Sequence, residues 1–204
     1  MLKKEAIGLS WLGTFHSVSA KILRKHAGAA GLNSNFSIID QDDQIRLIKN
    51  ICKAENIDIK QLAPNYILSV INGWKNKGLY PKKVITNKKN IFEKGILTIY
   101  KIYQKKLLDL NACDFGDLIL HCVNIFENNN DILEIYSNNF KYILVDEYQD
   151  TNFIQSKWLN FLAIKHNNIC CVGDDDQSIY SCRGAELKNF LEFDKVYNNT
   201  KIIR

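Results

Sequence analysis

Two short, wholly apolar runs in the last third of the chain constrain its fold most. Residues 142–145 end in Asp146-Glu147, and residues 169–172 end in Gly173-Asp174. Between them, Thr151-Asn152 opens an amphipathic stretch. Strands that are apolar on both faces and joined by a helix are typical of a parallel sheet in an α/β domain. The sequence therefore predicts an α/β fold whose sheet is parallel.

Residues 17 to about 135 have the apolar spacing of helices. Asp40 and Asp114 are predicted N-caps, and Pro64 is the predicted first residue of a helix. Residues 91–110 form a further predicted helix, and residues 37–39 a short extended piece. Strands are also expected at residues 9–15 and 201–203. The chain is thus predicted to be an α/β domain split by a helical insertion of about 100 residues.

The positive charge of the chain is concentrated in its first half. Residues 1–110 carry 19 Lys/Arg against 8 Asp/Glu, whereas residues 111–204 carry 8 against 14. Nine lysines lie between Lys77 and Lys106, with Glu93 as the only acid. This asymmetry favours a polyanion-binding region beside a region for metal or phosphate chemistry. Lysines on solvated helix faces would explain the same pattern equally well. The chain prefers lysine to arginine throughout, and this general preference further weakens the argument from the number of lysines.

Several classes of protein are disfavoured. No apolar run approaches the roughly 20 residues that span a bilayer, and Glu5 and Ser10 interrupt the only candidate for a signal peptide. The six cysteines form no C-x-x-C pair and show no matching histidine spacing. We therefore expect neither a zinc site nor a disulfide scaffold, and a cytoplasmic location.

The acidic clusters fall where parallel sheets bind ligands, beyond the carboxyl ends of the strands. A carboxylate there can hold Mg²⁺ through water, while its neighbour activates a water for phosphoryl transfer. The structural alternative is that the acids only cap turns and the helices that follow.

Longer strings around these acids resemble motifs II and III of the UvrD/Rep/PcrA branch of superfamily 1 DNA helicases. They are L-V-D-E-Y-Q-D-T-N at 144–152 and V-G-D-D-D-Q-S-I-Y-S-C-R-G-A at 172–185. G-T-F-H-S at 13–17, D-F-G-D-L at 114–118 and K-I-I-R at 201–204 are similar to further elements of that family. The resemblance implies a partial RecA-like (P-loop NTPase) sheet with a large all-helical insertion. Residues 1–17 and 113–204 would belong to domain 1A, and residues 18–112 to helical domain 1B.

By this resemblance, Asp146 would hold Mg²⁺ through water, and Glu147 would be the general base. Gln149, Asp150 and Asp174 would support motifs II and III, and Gln177 would sense the γ-phosphate of ATP. Single-stranded DNA would be contacted by Thr14, Phe15, His16, Tyr180 and Arg183, and duplex DNA by the lysine-rich stretch. Motif III would couple the nucleotide to the strand, since its two ends touch different ligands.

The sequence departs from the family pattern in two ways. It has no G-x-x-x-x-G-K-[ST] P-loop, which would supply the backbone cradle and lysine for phosphates, and it lacks motifs IV to VI. Cys182 stands where the family commonly has an aromatic residue, and losing a stacking platform costs about 1–3 kcal/mol per base. We expect Mg²⁺ and ATP to serve the complete enzyme, and neither to bind this chain tightly.

The leading interpretation is a piece of an ATP-dependent 3′–5′ DNA helicase of DNA repair, with missing segments supplied by another chain as one possibility. The alternatives are the motor part of a RecB/AddA-like helicase–nuclease and a non-enzymatic DNA- or protein-binding remnant. A metal nuclease using Asp146, Glu147 and Asp174 is disfavoured because no lysine is placed for its motif.

Overall fold

A computed structural model describes residues 11–57, 62–86, 90–177, 187–197 and 200–203. Helices dominate these ranges, as the apolar spacing predicted. The helices are α1 Phe15–Lys25, α2 Gln41–Ala54, α3 Pro64–Asn76, α4 Ile91–Asp109, α5 Phe115–Asn128, α6 Asn130–Asn139, α7 Phe153–Ala163, α8 Leu187–Leu191 and α9 Phe193–Val196. Short 3₁₀ turns lie at Ala27–Ala30, Tyr148–Asp150 and Asp175–Gln177. No helix in the described ranges is long and apolar enough to cross a membrane.

In the described ranges, four short strands form two parallel pairs. Strand β1 Ser37–Ile38 pairs with β2 Ala112–Cys113, and β3 Ile143–Val145 pairs with β4 Ile169–Cys171. Helix α7 crosses from β3 to β4, so the predicted strand–helix–strand unit is confirmed, as is the extended piece at 37–39. The protein is therefore a mixed α/β molecule, mostly helical, with small parallel sheets.

Two predicted strands are wrong in the part of the chain that the structure describes. Trp11 to Thr14 is turn and coil, and α1 begins at Phe15. The cause is local, since the Thr14 hydroxyl accepts a hydrogen bond from the Ser17 amide at 3.2 Å and caps the helix. Residues 201–203 likewise form no strand.

The predicted helix starts are confirmed by their capping contacts. Asp40 accepts a hydrogen bond from the Asp43 amide at 2.9 Å, and Pro64 is the first residue of α3. Asp114 and Asn152 each form a reciprocal capping box with the residue three positions later. These contacts satisfy amides that the first turn of a helix leaves unpaired.

Packing divides the described chain into two cores. The first is built from α1, the segment through Phe36, helices α5 and α6, β3 and α7; the second is built from α2, α3 and α4. Val18, Ile22 and Leu23, which begin the range predicted for the helical domain, bury against α5 in the first core. The division falls near β1, where the chain leaves the first core.

A buried ion cluster joins the two cores. The Lys75 ammonium on α3 lies 2.6 Å from an Asp114 carboxylate oxygen and 2.7 Å from one of Asp117, with all three side chains at most 1% exposed. The Tyr103 hydroxyl donates to Asp114, and the Gln104 amide to Asp117. Helix α3 also packs against α5 and α7. The start of α5 is therefore fixed from both cores.

Candidate functional site

Strand β3 delivers two carboxylates, those of Asp146 and Glu147, to its exposed end. Asp146 accepts a hydrogen bond from the Glu147 amide at 3.0 Å. Glu147 has φ 52 and ψ 42, in the left-handed region that a non-glycine residue rarely adopts. Such strain persists where surrounding structure enforces it, often at functional sites.

The fully buried side chain of Gln149 connects this strand end to the next one. Its amide nitrogen donates to Glu147 at 2.7 Å, and its oxygen accepts from the Asp174 amide at 3.2 Å. The Asp174 carboxylate in turn accepts from the Gln177 side chain at 2.7 Å. Four residues of motifs II and III thus form one chain of hydrogen bonds, which we call the Glu147–Gln177 relay.

Asp174 also accepts a hydrogen bond from the Asp176 backbone amide at 3.0 Å. Its carboxylate therefore caps the following 3₁₀ turn, which is the structural alternative considered for this acidic cluster. Each oxygen of Asp174 thus accepts one hydrogen bond from the 3₁₀ turn, and the carboxylate orders the start of motif III within the chain.

Gly173 is required where the relay passes between the strands. A Cβ atom at this position would lie 2.5 Å from the Gln149 side-chain oxygen and 2.9 Å from the Phe190 ring. Real Cβ atoms do not approach neighbours this closely. The absence of a side chain at Gly173 therefore allows Gln149 to reach the Asp174 amide.

A groove of about 830 Å³ runs beside β3, and its lining includes Asp146, Glu147 and Asp150. One Asp150 carboxylate oxygen is buried and lacks a hydrogen-bond partner among the described residues. Carboxylate oxygens are the ligands that Mg²⁺ prefers, and Mg²⁺ sites use one or two of them together with water and phosphates. The described residues contain no cluster of three or more acidic, histidine or cysteine ligands. Asp146 and the unpaired oxygen of Asp150 are carboxylate donors of the kind that such a site uses.

The T-F-H-S element forms the amino terminus of α1. Thr14 is exposed and caps the helix, while Phe15 is half-buried with its ring 5.8 Å from that of Trp158. Phe15 therefore packs on the first core, and also lines the groove. The amino terminus of a helix presents free amides and a partial positive charge, which favour an anion.

His16 lies at this helix start beside Phe115, the first residue of α5. The rings of His16 and Phe115 meet edge to face at 5.9 Å. Burial lowers the pKa of His16, so the imidazole is neutral near pH 7 and can donate a hydrogen bond without adding charge. Among the described residues of the predicted DNA face, Thr14 is exposed, whereas Phe15 and His16 are half-buried.

Phe115 is 51% exposed although it belongs to an otherwise buried helix. It is the first residue after the Asp114 cap, where the helix has not yet turned toward the core. The sequence offered one signal that Phe115 could be functional, namely its position directly after the Asp114 cap. An exposed aromatic residue at such a position is not explained by packing.

Of the other residues predicted to contact DNA, some lie outside the described ranges and some are described as exposed. Tyr180, Arg183 and Cys182 lie outside the described residues. Seven of the nine lysines between Lys77 and Lys106 are described, and all seven are exposed. Lys83 pairs with Glu127 at 3.2 Å. Exposed lysines suit phosphate contacts and solvated helix faces equally.

Known proteins match this chain over nearly its whole length. Residues 1–198 match the family model described as UvrD/REP helicase N-terminal domain. The chain is 47% identical over 197 residues to a probable DNA helicase II homolog of Rickettsia conorii, covering 95% of this chain and 30% of the relative. It is 43% identical over 193 residues to the ATP-dependent DNA helicase PcrA of Staphylococcus epidermidis, covering 95% and 26%. The chain thus spans under a third of the length of these relatives.

Proposed function

Because the chain belongs to the UvrD/REP helicase N-terminal domain family, we propose that it carries the nucleotide-facing and DNA-facing motifs of an ATP-dependent 3′–5′ DNA helicase acting in DNA repair. The observation that carries this proposal is the Glu147–Gln177 relay. It joins the two acidic strand ends by direct hydrogen bonds, and this supports a coupling between them. The relatives named above are helicases by name and share this segment.

The first core is the proposed part of a RecA-like domain 1A, and the second is the proposed helical domain 1B. The parallel β3–α7–β4 unit with acids at its strand ends supports the first assignment. Packing favours a 1B domain that begins near residue 37 rather than at residue 18.

In this proposal Asp146 and Asp150 hold Mg²⁺ beside the phosphates of ATP. Glu147 orients and deprotonates the attacking water, and Gln177 contacts the γ-phosphate. Mg²⁺ supplies charge neutralisation at the phosphates when it is bound. Gln149 transmits any displacement of Gln177 to Glu147 through Asp174, since each of these contacts is a direct hydrogen bond.

Single-stranded DNA would cross the start of α1 beside Thr14, His16 and Phe115. Free amides at the helix start suit a phosphate, and an exposed ring stacks bases irrespective of sequence. Tyr180 and Arg183 remain proposed members of this face, and duplex DNA remains a proposed partner of the lysine-rich stretch. ATP and Mg²⁺ are the proposed cofactors of the complete enzyme, and the cytoplasm is its proposed location.

A chimera tests the function. This chain would replace the matching segment of the Staphylococcus epidermidis relative, and ATP hydrolysis with single-stranded DNA would be measured. We expect DNA-stimulated turnover in the chimera, reduced about 100-fold or more by Glu147→Gln, in line with the loss of a general base. Glu134→Gln, on the outer part of α6, is the matched control and should retain full turnover.

The same assay on the 204-residue chain alone should show no steady turnover above its own Glu147→Gln variant, because the chain has no P-loop. Equal turnover by the chimera and its Glu147→Gln variant would contradict the role of Glu147. Steady turnover by the chain alone would contradict the need for a P-loop.

A further inference from the structure

Helix α8 packs against the 3₁₀ turn Tyr148–Asp150, which follows strand β3. Two neighbouring side chains of α8 contact different segments of the candidate site. The Asn189 side chain donates a hydrogen bond to the Thr151 carbonyl at 3.3 Å. The Phe190 ring lies 2.9 Å from the place that a Cβ atom at Gly173 would take. Helix α8 thus contacts both the end of motif II and the start of motif III.

The contact of Asn189 is made to a buried part of motif II. Thr151 is 2% exposed, and its hydroxyl donates to the Tyr148 carbonyl at 2.8 Å. The Thr151 amide donates to the same carbonyl at 3.1 Å. A buried backbone carbonyl requires a hydrogen-bond partner, and Asn189 supplies one to Thr151 from 38 positions later in the chain. The end of motif II is therefore tied to a separate element of the fold.

Helix α9 holds this element in place on the first core. The Phe193 ring meets the buried Tyr148 ring edge to face at 5.4 Å, and it lies 4.6 Å from the ring of Tyr197. The Tyr197 hydroxyl donates a hydrogen bond to the side chain of Asn160 on α7. Because α8 and α9 are separated by a single residue, these contacts also fix the position of Asn189.

Asp150, which directly precedes Thr151, depends on the backbone for its direction. One of its carboxylate oxygens is buried and lacks a hydrogen-bond partner among the described residues. On one side of this residue, the Asp150 amide donates to the Glu147 carbonyl at 3.0 Å. On the other side, the Thr151 carbonyl is held by Asn189. The residue so held lines the groove beside β3, together with Asp146 and Glu147.

We propose that Asn189 is a positioning residue for the metal site, and that its hydrogen bond to Thr151 directs the Asp150 carboxylate into the groove. This inference rests on the proposed function, in which Asp146 and Asp150 hold Mg²⁺. Residues that orient the ligands of a metal without touching it change the metal affinity about 10- to 100-fold. Loss of the Asn189 donor therefore weakens metal binding, whereas the step that depends on Glu147 keeps its rate once the metal is bound.

The contact itself is tested in the full chain by nuclear magnetic resonance. Asn189→Leu keeps a side chain of similar shape without the N–H donor, and Asn189→Ala removes the side chain beyond Cβ. We expect the ¹³C resonance of the Thr151 carbonyl to shift in both variants, because that carbonyl loses a hydrogen bond. It should stay in place in Asn138→Leu, which changes an exposed asparagine on α6. An unchanged Thr151 resonance in well-dispersed spectra of both Asn189 variants would overturn the inference.

Metal binding is measured in the chimera described above, with ADP present to supply phosphates. The probe is Mn²⁺, which takes the same carboxylate and water ligands as Mg²⁺ and whose free concentration is read by electron paramagnetic resonance. Asn189→Leu and Asn189→Ala should each raise the Mn²⁺ dissociation constant about 10-fold or more, and Asn138→Leu should leave it unchanged. In ATP hydrolysis, the half-saturating Mg²⁺ concentration should rise by the same factor, with turnover at saturating Mg²⁺ equal to that of the unmodified chimera.

The outcomes separate this inference from the proposed function. If Asn189 had only a structural role, its variants would lower turnover at every Mg²⁺ concentration and leave the Mn²⁺ dissociation constant unchanged. That result would overturn the inference while the proposed function stands. Weakened Mn²⁺ binding in a chimera that fails to hydrolyse ATP would support the role of Asn189 and contradict the proposed hydrolysis. No saturable Mn²⁺ binding by the unmodified chimera would overturn both.

Discussion

At the scale of single residues, the close approach of the Gln149 side chain to Gly173 determines the geometry of motifs II and III. Gln149 is fully buried and uses both ends of its amide to join Glu147 to Asp174. This requires a backbone without a side chain at Gly173. The position of the general-base candidate therefore depends on a glycine that has no chemistry of its own.

Gly173→Ala should displace Gln149 and break its hydrogen bond to Asp174, since the new methyl group overlaps the Gln149 oxygen. Overpacking of this kind costs about 1–3 kcal/mol, which chemical denaturation would measure. Gly73→Ala in α3 is the matched control because no side chain and no other part of the described chain beyond its own helix backbone and its chain neighbours lies within 4 Å of the place that its new methyl group would take. It should stabilise the chain by about 0.5–1 kcal/mol. Equal stabilities of Gly173→Ala and Gly73→Ala would contradict the close contact between Gly173 and the Gln149 side chain.

His121 should make the free energy of unfolding depend on pH. Its imidazole is buried, and its Nδ1 lies 2.5 Å from the Tyr80 hydroxyl. Burial lowers its pKa below the ordinary 6.5; Asp117 opposes this effect and Lys75 adds to it. The unfolded chain therefore takes up this proton first as the pH falls, so stability is lost from pH 6.5 downward.

His121→Gln removes this titration while it keeps a polar group near Tyr80. We expect a smaller loss of stability between pH 7 and pH 5 in this variant than in the unmodified chain, measured by denaturation at each pH. Between pH 8 and pH 7 the two proteins should change in parallel. The same loss in both proteins at acid pH would show that His121 is not the responsible group.

At the scale of elements, one buried cation fixes how α3 meets α5. Burial alone would lower the pKa of Lys75, but the carboxylates of Asp114 and Asp117 outweigh it and raise the pKa. Lys75 is thus charged at every pH where the protein would be used. Since Asp114 also caps α5, the cluster sets the direction in which that helix presents Phe115.

Lys75→Met should destabilise the chain by about 3–5 kcal/mol, because it leaves two carboxylates buried without their cation. Lys77→Met, an exposed lysine that follows the same helix, should change stability by at most about 0.5 kcal/mol. Urea denaturation of the three proteins at pH 7 would measure both effects. A loss below about 1 kcal/mol for Lys75→Met would contradict the structural importance of the cluster.

At the scale of the whole molecule, two cores share one interface. Trp74 packs against the second core, whereas Trp11 and Trp158 belong to the first. The tryptophans therefore report on different parts of the protein. The buried ion cluster and the packing of α3 on α5 and α7 should make the cores unfold together.

Two tryptophan variants test this cooperativity. In Trp11→Phe/Trp158→Phe the fluorescence comes from Trp74, and in Trp74→Phe it comes from the first core. Within each variant, the fluorescence midpoint in urea should coincide with the midpoint by circular dichroism. When Lys75→Met is added, the fluorescence and circular dichroism midpoints should separate. Separate midpoints without that change would mean that the cores unfold independently.

The sequence by itself determined the starts of α2, α3, α4, α5 and α7, the parallel strand unit and the placement of the acids at strand ends. These features follow from short-range causes, such as the Asp40, Asp114 and Asn152 caps and the apolar runs. The expected strand at residues 9–15 failed for a short-range reason as well. An apolar run there did not reveal that Thr14 caps a helix.

Only the tertiary structure decided which core α1 joins, that Lys75 is buried, that Phe115 is exposed, and that Gly173 makes room for Gln149. Each of these depends on partners far away in the chain: Lys75 meets Asp114 across 39 positions, and Gln149 meets Asp174 across 25. Local periodicity carries no information about such pairs, because they form only when separate elements pack together.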